Sequence, residues 1–132
     1  MKLLQSRWLA VGWFIFMCLL FFLPGSSLPK ESSWMKLISF DKWIHAGLFA
    51  VLIFLWNASF STGSRYFEFF LFLLSVIYGF CVEFIQRAWV PNRSFDLLDV
   101  AADTVGSVIG LIVWLSVYKK INPCRNRGRN QN

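Results

Sequence analysis

The sequence predicts an all-α integral membrane protein, a bundle of four transmembrane helices. Three observations carry this. Of 132 residues, 57% are hydrophobic and only 15% charged, where a soluble domain carries about 25% charged residues. Phe and Trp are heavily used, 15 and 7 copies. Four apolar stretches close to the length of a membrane span are divided by short polar breaks. The length suits a single domain over 1–132.

The first span is expected over about 8–24, "WLAVGWFIFMCLLFFLP", with no charge between Arg7 and Lys30. Lys2 and Arg7 ahead of it also fit a signal peptide, but the long, bulky run with no A-x-A site favours a retained helix. A polar connection with Pro24 and Pro29 follows. Within it, "SWMKLISF" at 33–40 fits a short interfacial helix. The second span is expected over 43–60, followed by a tight turn at "STGSR". The third is expected over 66–86, then a short loop with Pro91, and the fourth over 98–117.

The third and fourth stretches are interrupted near their ends. Only 14 uncharged residues separate Glu68 from Glu83, and 15 separate Asp103 from Lys119. A full span needs about 20. Glu83 and Asp103 are therefore expected at the membrane boundary or slightly inside it, where a charge needs a partner or a polar pocket.

The formal net charge is +6, and five of the 13 basic residues fall in the last 14 positions. A basic tail over 119–132 following an apolar helix is expected on the cytoplasmic side, against anionic headgroups. With four spans, the termini share a side with Lys2, Arg7, Arg65 and this tail. The opposite side holds Lys30, Lys36, Lys42, Arg87 and Arg93. The positive-inside rule thus puts both termini in the cytoplasm of a bacterial plasma membrane. Nothing resembling a folded nucleic-acid reader accompanies the basic tail. Cys18, Cys81 and Cys124 show neither CxxC nor Cys/His spacing, so no disulfide framework or zinc motif is expected.

Alternating spans bring three polar ends to one side: the start of the second, the end of the third and the start of the fourth. Asp41 and His45 are four apart and share a helix face. Asp41 can cap its helix, and an acid beside a His can fix the ring's tautomer. Glu83, Gln86 and Arg87 share a face at spacings of three and four. Gly79, four before Glu83, marks a close helix approach on that face. Ser94 is read as an N-cap with Asp96 in the first turn. Asp96, Asp99 and Asp103 line one stripe that continues as GxxxG through Gly106 and Gly110. Three carboxylates on one stripe need cations, protons or donors between them, and Lys42, His45, Arg87 and Arg93 are the available cations.

The bland readings are a capping Asp41, a satisfied core His45 and a Glu83–Arg87 pair at the headgroups. Within a membrane span, however, an ionisable residue is a functional candidate by default. The candidate binding set, which the resemblance described below implies residue by residue, is Asp41, Lys42, His45, Glu83, Gln86, Arg93, Asp96, Asp99 and Asp103, with His45 and Glu83 as candidates for acid/base chemistry. His45, Glu83, Asp99 and Asp103 also match a divalent-metal ligand set by residue type. One His and no HExxH make that signal weak, and the expectation is no metal; no cofactor is indicated. The two Asn-x-Ser matches, at Asn57 and Asn92, are chance.

Three pieces resemble the VanZ-like family of small bacterial membrane proteins. They are "DKWIHAGLFAVL" at 41–52, "YGFCVEFIQ" at 78–86 and "PNRSFDLLDVAADTVGSVIG" at 91–110, and the likeness covers about 8–118. The family's shared polar positions fall on the binding set above. Where the family often has Asn, this chain has Asp103, which puts any requirement for an amide there in doubt. The resemblance implies a link to the cell envelope and to resistance against the glycopeptide teicoplanin; it supplies no reaction. Three readings follow. One is a non-enzymatic protein binding a lipid headgroup or lipid-linked cell-wall precursor. The second is a membrane enzyme acting by acid/base chemistry on a lipid-linked, phosphate-containing substrate. The third, an ion-coupled carrier, is disfavoured by apolar inner halves of the spans.

Overall fold

The computed structural model describes residues 5–23, 40–61, 63–90 and 95–121. They form four helices: α1 (Arg7–Phe21), α2 (Phe40–Phe60), α3 (Arg65–Trp89) and α4 (Leu97–Ile121). The expected interfacial helix at 33–40 lies largely outside the described residues, as do Arg93, Ser94 and the basic tail beyond Ile121.

α2, α3 and α4 are long and apolar enough to cross a membrane. α1 is shorter than its expected span: its 15 residues rise about 22 Å, against a hydrocarbon core of about 30 Å. The other three begin and end within a few residues of the expected limits, and α3 and α4 run a turn or so longer at the ends that carry charge.

Contacts at both ends fix the antiparallel order. At one end, the α1 terminus at Phe21 stacks on His45 of α2, with ring centres 4.9 Å apart. At the other, the Arg7 guanidinium lies over the Phe60 ring at 5.2 Å. The expected turn after α2 contains Gly63 in the left-handed region (φ 61), and a Cβ there would run into the Tyr118 ring. Only glycine meets both demands.

The helices are inside-out relative to a soluble bundle. His45, Asn57, Glu68, Ser75, Glu83, Gln86, Asp99, Asp103 and Ser107 are buried, while Phe69, Phe70, Leu73, Ile77, Phe80 and Phe84 of α3 face outward. Lipid accepts exposed Phe and Ile but not an unpaired polar group, so the polar side chains turn inward. Trp8 and Tyr66 are exposed at one end of the bundle, Trp43 and Trp89 at the other. These are the positions of interfacial aromatic belts. From Tyr66 to Trp89, α3 rises about 34 Å, which spans the hydrocarbon core with a small margin.

Two packing devices hold the bundle. α2 and α4 approach closely because Gly106 and Gly110 face the backbone of Ala46 and Ala50, where any Cβ would collide with a carbonyl. Small residues four apart on both helices permit this contact. Met17, Phe21, Leu48, Phe49, Leu52 and Val82 form the apolar cluster that joins α1 to α2 and α3.

Candidate functional site

The three polar ends converge as the alternation of spans requires. Lys42 opens α2, and its Nζ donates to Asp96 Oδ2 at 2.7 Å and Asp99 Oδ1 at 2.8 Å. Asp41 stands at the rim, 3.5 Å from the same ammonium. One turn into α2, His45 Nδ1 meets Asp103 Oδ1 of α4 at 2.9 Å. From α3, Glu83 Oε2 accepts the Asp96 N–H at 3.2 Å. Two carboxylates of the α4 stripe thus share one ammonium, and the third takes the imidazole.

Asp96 also accepts the Leu98 N–H at 2.8 Å through Oδ1. It is therefore the N-cap of α4 rather than a first-turn residue, two positions later than the expected Ser94, which lies outside the described residues. Capping satisfies one of the orphan N–H groups at the helix start. The Lys42 ammonium, with the Leu98 N–H, holds the Asp96 carboxyl below the usual carboxylate range.

The bland alternative, a Glu83–Arg87 pair, is not formed. Arg87 is exposed, and Glu83, with 0% exposure, turns into the bundle. Gln86 shares the Glu83 face but serves a different partner: its Nε2 donates to the Phe21 carbonyl at 2.7 Å. Gly79 does mark the expected close approach, since a Cβ there would lie 2.8 Å from Asp103 Oδ2. Arg93 lies outside the described residues.

Depth follows from the helix rise. Glu83 lies six residues, or about 9 Å, inward from Trp89. Two carboxylate oxygens there, Glu83 Oε1 and Asp103 Oδ2, are buried and have no hydrogen-bond partner among the described residues. Such a group costs on the order of 1–3 kcal/mol, more if charged, unless something fills the gap.

Several neighbours were missed in the sequence. Ser75 Oγ donates to Ser107 Oγ at 2.9 Å, and Ser107 Oγ to the Asp103 carbonyl at 2.8 Å. Tyr78 Oη pairs with Cys18 Sγ at 3.3 Å. A signal existed: Ser75, Gly79, Glu83 and Gln86 recur at four, four and three along α3, one continuous inward stripe.

Below the cluster, α1, α2 and α3 enclose an apolar groove of about 290 Å³, lined by Phe14, Leu52, Trp56, Leu71, Leu74 and Tyr78 among others. On α3 it extends from about 7 to 18 Å beneath Glu83. Tyr78 sits at its upper end, beside the Gly79–Asp103 contact.

A multi-pass helical membrane protein with a buried, carboxylate-rich cluster at one end of its bundle is the class these features define. Within that class the chain belongs to the VanZ/LLP1 family, whose profile matches residues 9–118. That stretch covers all three sequence pieces that carried the resemblance. No curated protein and no solved structure matches the chain.

Proposed function

We propose that the protein binds the polar head of a membrane-embedded amphiphile, a lipid headgroup or lipid-linked cell-wall precursor, at the carboxylate cluster. One observation carries this reading: buried carboxylate oxygens without partners among the described residues stand at one end of the bundle, about 7 Å along α3 from an apolar groove. A head with an ammonium group complements Asp99, Asp103 and Glu83, and its chain has the groove available. Arg93 is the expected partner for a phosphate on the same head. The expected setting is a bacterial plasma membrane with cytoplasmic termini and the cluster on the outer face. Binding an envelope lipid there is the proposed route to the family's link with teicoplanin resistance.

The test is lipid retention by the purified chain in nanodiscs of phosphatidylcholine. Phosphatidylethanolamine, phosphatidylglycerol and a lipid-linked cell-wall precursor are each added as the competing component. The expected result is preferential retention of an amine-bearing lipid. It should fall at least tenfold in Asp99→Asn and in the groove-filling Leu74→Trp. Equal retention of all components by the parent overturns the reading.

A second reading, acid/base chemistry on a lipid-linked phosphate, is favoured by the His45–Asp103 contact, which orients an imidazole as a proton carrier. Turnover of such a lipid, lost in His45→Gln, distinguishes it from binding alone.

A further inference from the structure

The geometry points to a site for a first-row divalent cation of the Mn²⁺ or Zn²⁺ type, held by His45, Glu83 and Asp99. One ligand atom from each lies within 4.8 Å of the other two, and all three residues are buried. Donors around a tetrahedral cation with bonds of about 2.1 Å lie about 3.4 Å apart. From separations of up to 4.8 Å, the three side chains close on such an ion by rotamer adjustment of about 1 Å. Each comes from a different helix, so the bundle itself sets the spacing.

Proximity of acidic groups does not make a site; the way each of these residues is held does. Every one has one polar atom committed to a neighbour and one left over. His45 gives Nδ1 to Asp103 Oδ1. A carboxylate there can only accept, so Nδ1 carries the proton and Nε2 presents its lone pair. That is the outer-shell carboxylate that orients most metal-bound histidines. Glu83 spends Oε2 on the Asp96 N–H, leaving Oε1, which is buried and without a partner among the described residues. Asp99 gives Oδ1 to Lys42, leaving Oδ2. Three side chains that approach one another, each with one donor left over, have the makings of a first coordination shell.

Charge points the same way. Asp41, Glu83, Asp96, Asp99 and Asp103 gather around the Lys42 ammonium and His45, so the cluster is short of positive charge among the described residues. One imidazole with two carboxylates and no thiolate suits Mn²⁺ or Zn²⁺ rather than a soft ion. Three protein donors leave coordination positions open.

This inference goes beyond the amphiphile reading and does not rest on it, because its test contains no candidate lipid. The chain has a single histidine, so imidazole-¹⁵N labelling of the untagged, chelator-stripped protein in detergent gives one pair of ring-nitrogen signals. Zn²⁺ is titrated in, with Mg²⁺ as the control. The expected result is a saturable shift of Nε2 at one ion per chain, with Nδ1 still protonated and Mg²⁺ without effect. In Glu83→Gln and Asp99→Asn, Zn²⁺ binding should weaken at least tenfold. An Nε2 signal that stays put at tenfold molar excess overturns the site, and so does a shift that both variants retain. Because the parent's own signal is read, the outcome stands even where a variant fails to fold.

Discussion

Gln86 of α3 ties down the end of α1: its Nε2 donates 2.7 Å to the carbonyl of Phe21. Phe21 is the last helical residue of α1, and its carbonyl is one of the four that a helix end leaves without an internal partner. In Gln86→Leu the packing is kept and the bond is lost. An interhelical bond in a membrane is worth about 1–2 kcal/mol at most, so a loss of that size is expected. The accompanying sign is faster maleimide labelling of Cys18, which lies on α1 beside Tyr78. Unchanged labelling would mean that the apolar cluster and the Trp13 and Cys18 contacts anchor α1 without Gln86.

Glycines at two kinds of position should respond in opposite directions to the same change. In Gly106→Ala, a Cβ meets the Ala46 carbonyl, and overpacking of that kind costs about 1–3 kcal/mol. At Gly12 and Gly47 an added Cβ would meet nothing within 4 Å, so Gly12→Ala and Gly47→Ala should be stabilising by up to about 1 kcal/mol. Unfolding by denaturing detergent compares the three.

Lys42 contacts Asp96 and Asp99 at nearly equal distance, yet the two bonds are not equal. The Asp99 side chain is 10% exposed and that of Asp96 39%. A double-mutant cycle of Lys42→Met with Asp99→Asn should give a coupling of about 1.5–3 kcal/mol, as for a shielded charged bond. The same cycle with Asp96→Asn should give about 0.2–1 kcal/mol. Equal couplings would show that water screens both contacts alike.

His45 needs an acceptor at position 103 more than it needs a charge. Asp103→Asn retains a side-chain oxygen for Nδ1–H, whereas Asp103→Ala leaves the ring unpartnered. Leaving a buried donor without its acceptor costs about 1–3 kcal/mol. The expected order of thermal stability in detergent is parent, then Asn, then Ala, with most of the loss at the last step. Equal losses in both variants would make the ionised form of Asp103 the essential feature.

The helices and the end of the bundle where polar groups gather were legible because both follow from one-dimensional patterns. Apolar length gives the spans, and the spacing of Asp96, Asp99 and Asp103 gives one inward face. The partners were less legible. Spacing shows that Glu83 and Gln86 share a face, but not that one turns to the Asp96 N–H and the other to the Phe21 carbonyl. That choice depends on the axial offset between helices, which no single helix encodes. Ala46 and Ala50 were passed over for a related reason: a small residue inside an apolar run announces a close contact only when the opposing glycines are known.

The Gly106 and Gly110 contact has a mechanical consequence. Where α2 and α4 meet backbone to backbone, no acyl chain can wedge between them, and a slide of one past the other would drive carbonyls into neighbouring Cα atoms. That seam is the rigid side of the bundle. The α1 flank has no such seam: there the contact is made by side chains, through the apolar cluster and the bonds of Gln86, Trp13 and Cys18. One flank of the bundle is thus closed by backbone and the other by side chains, and which is which is written into the helices that carry glycine.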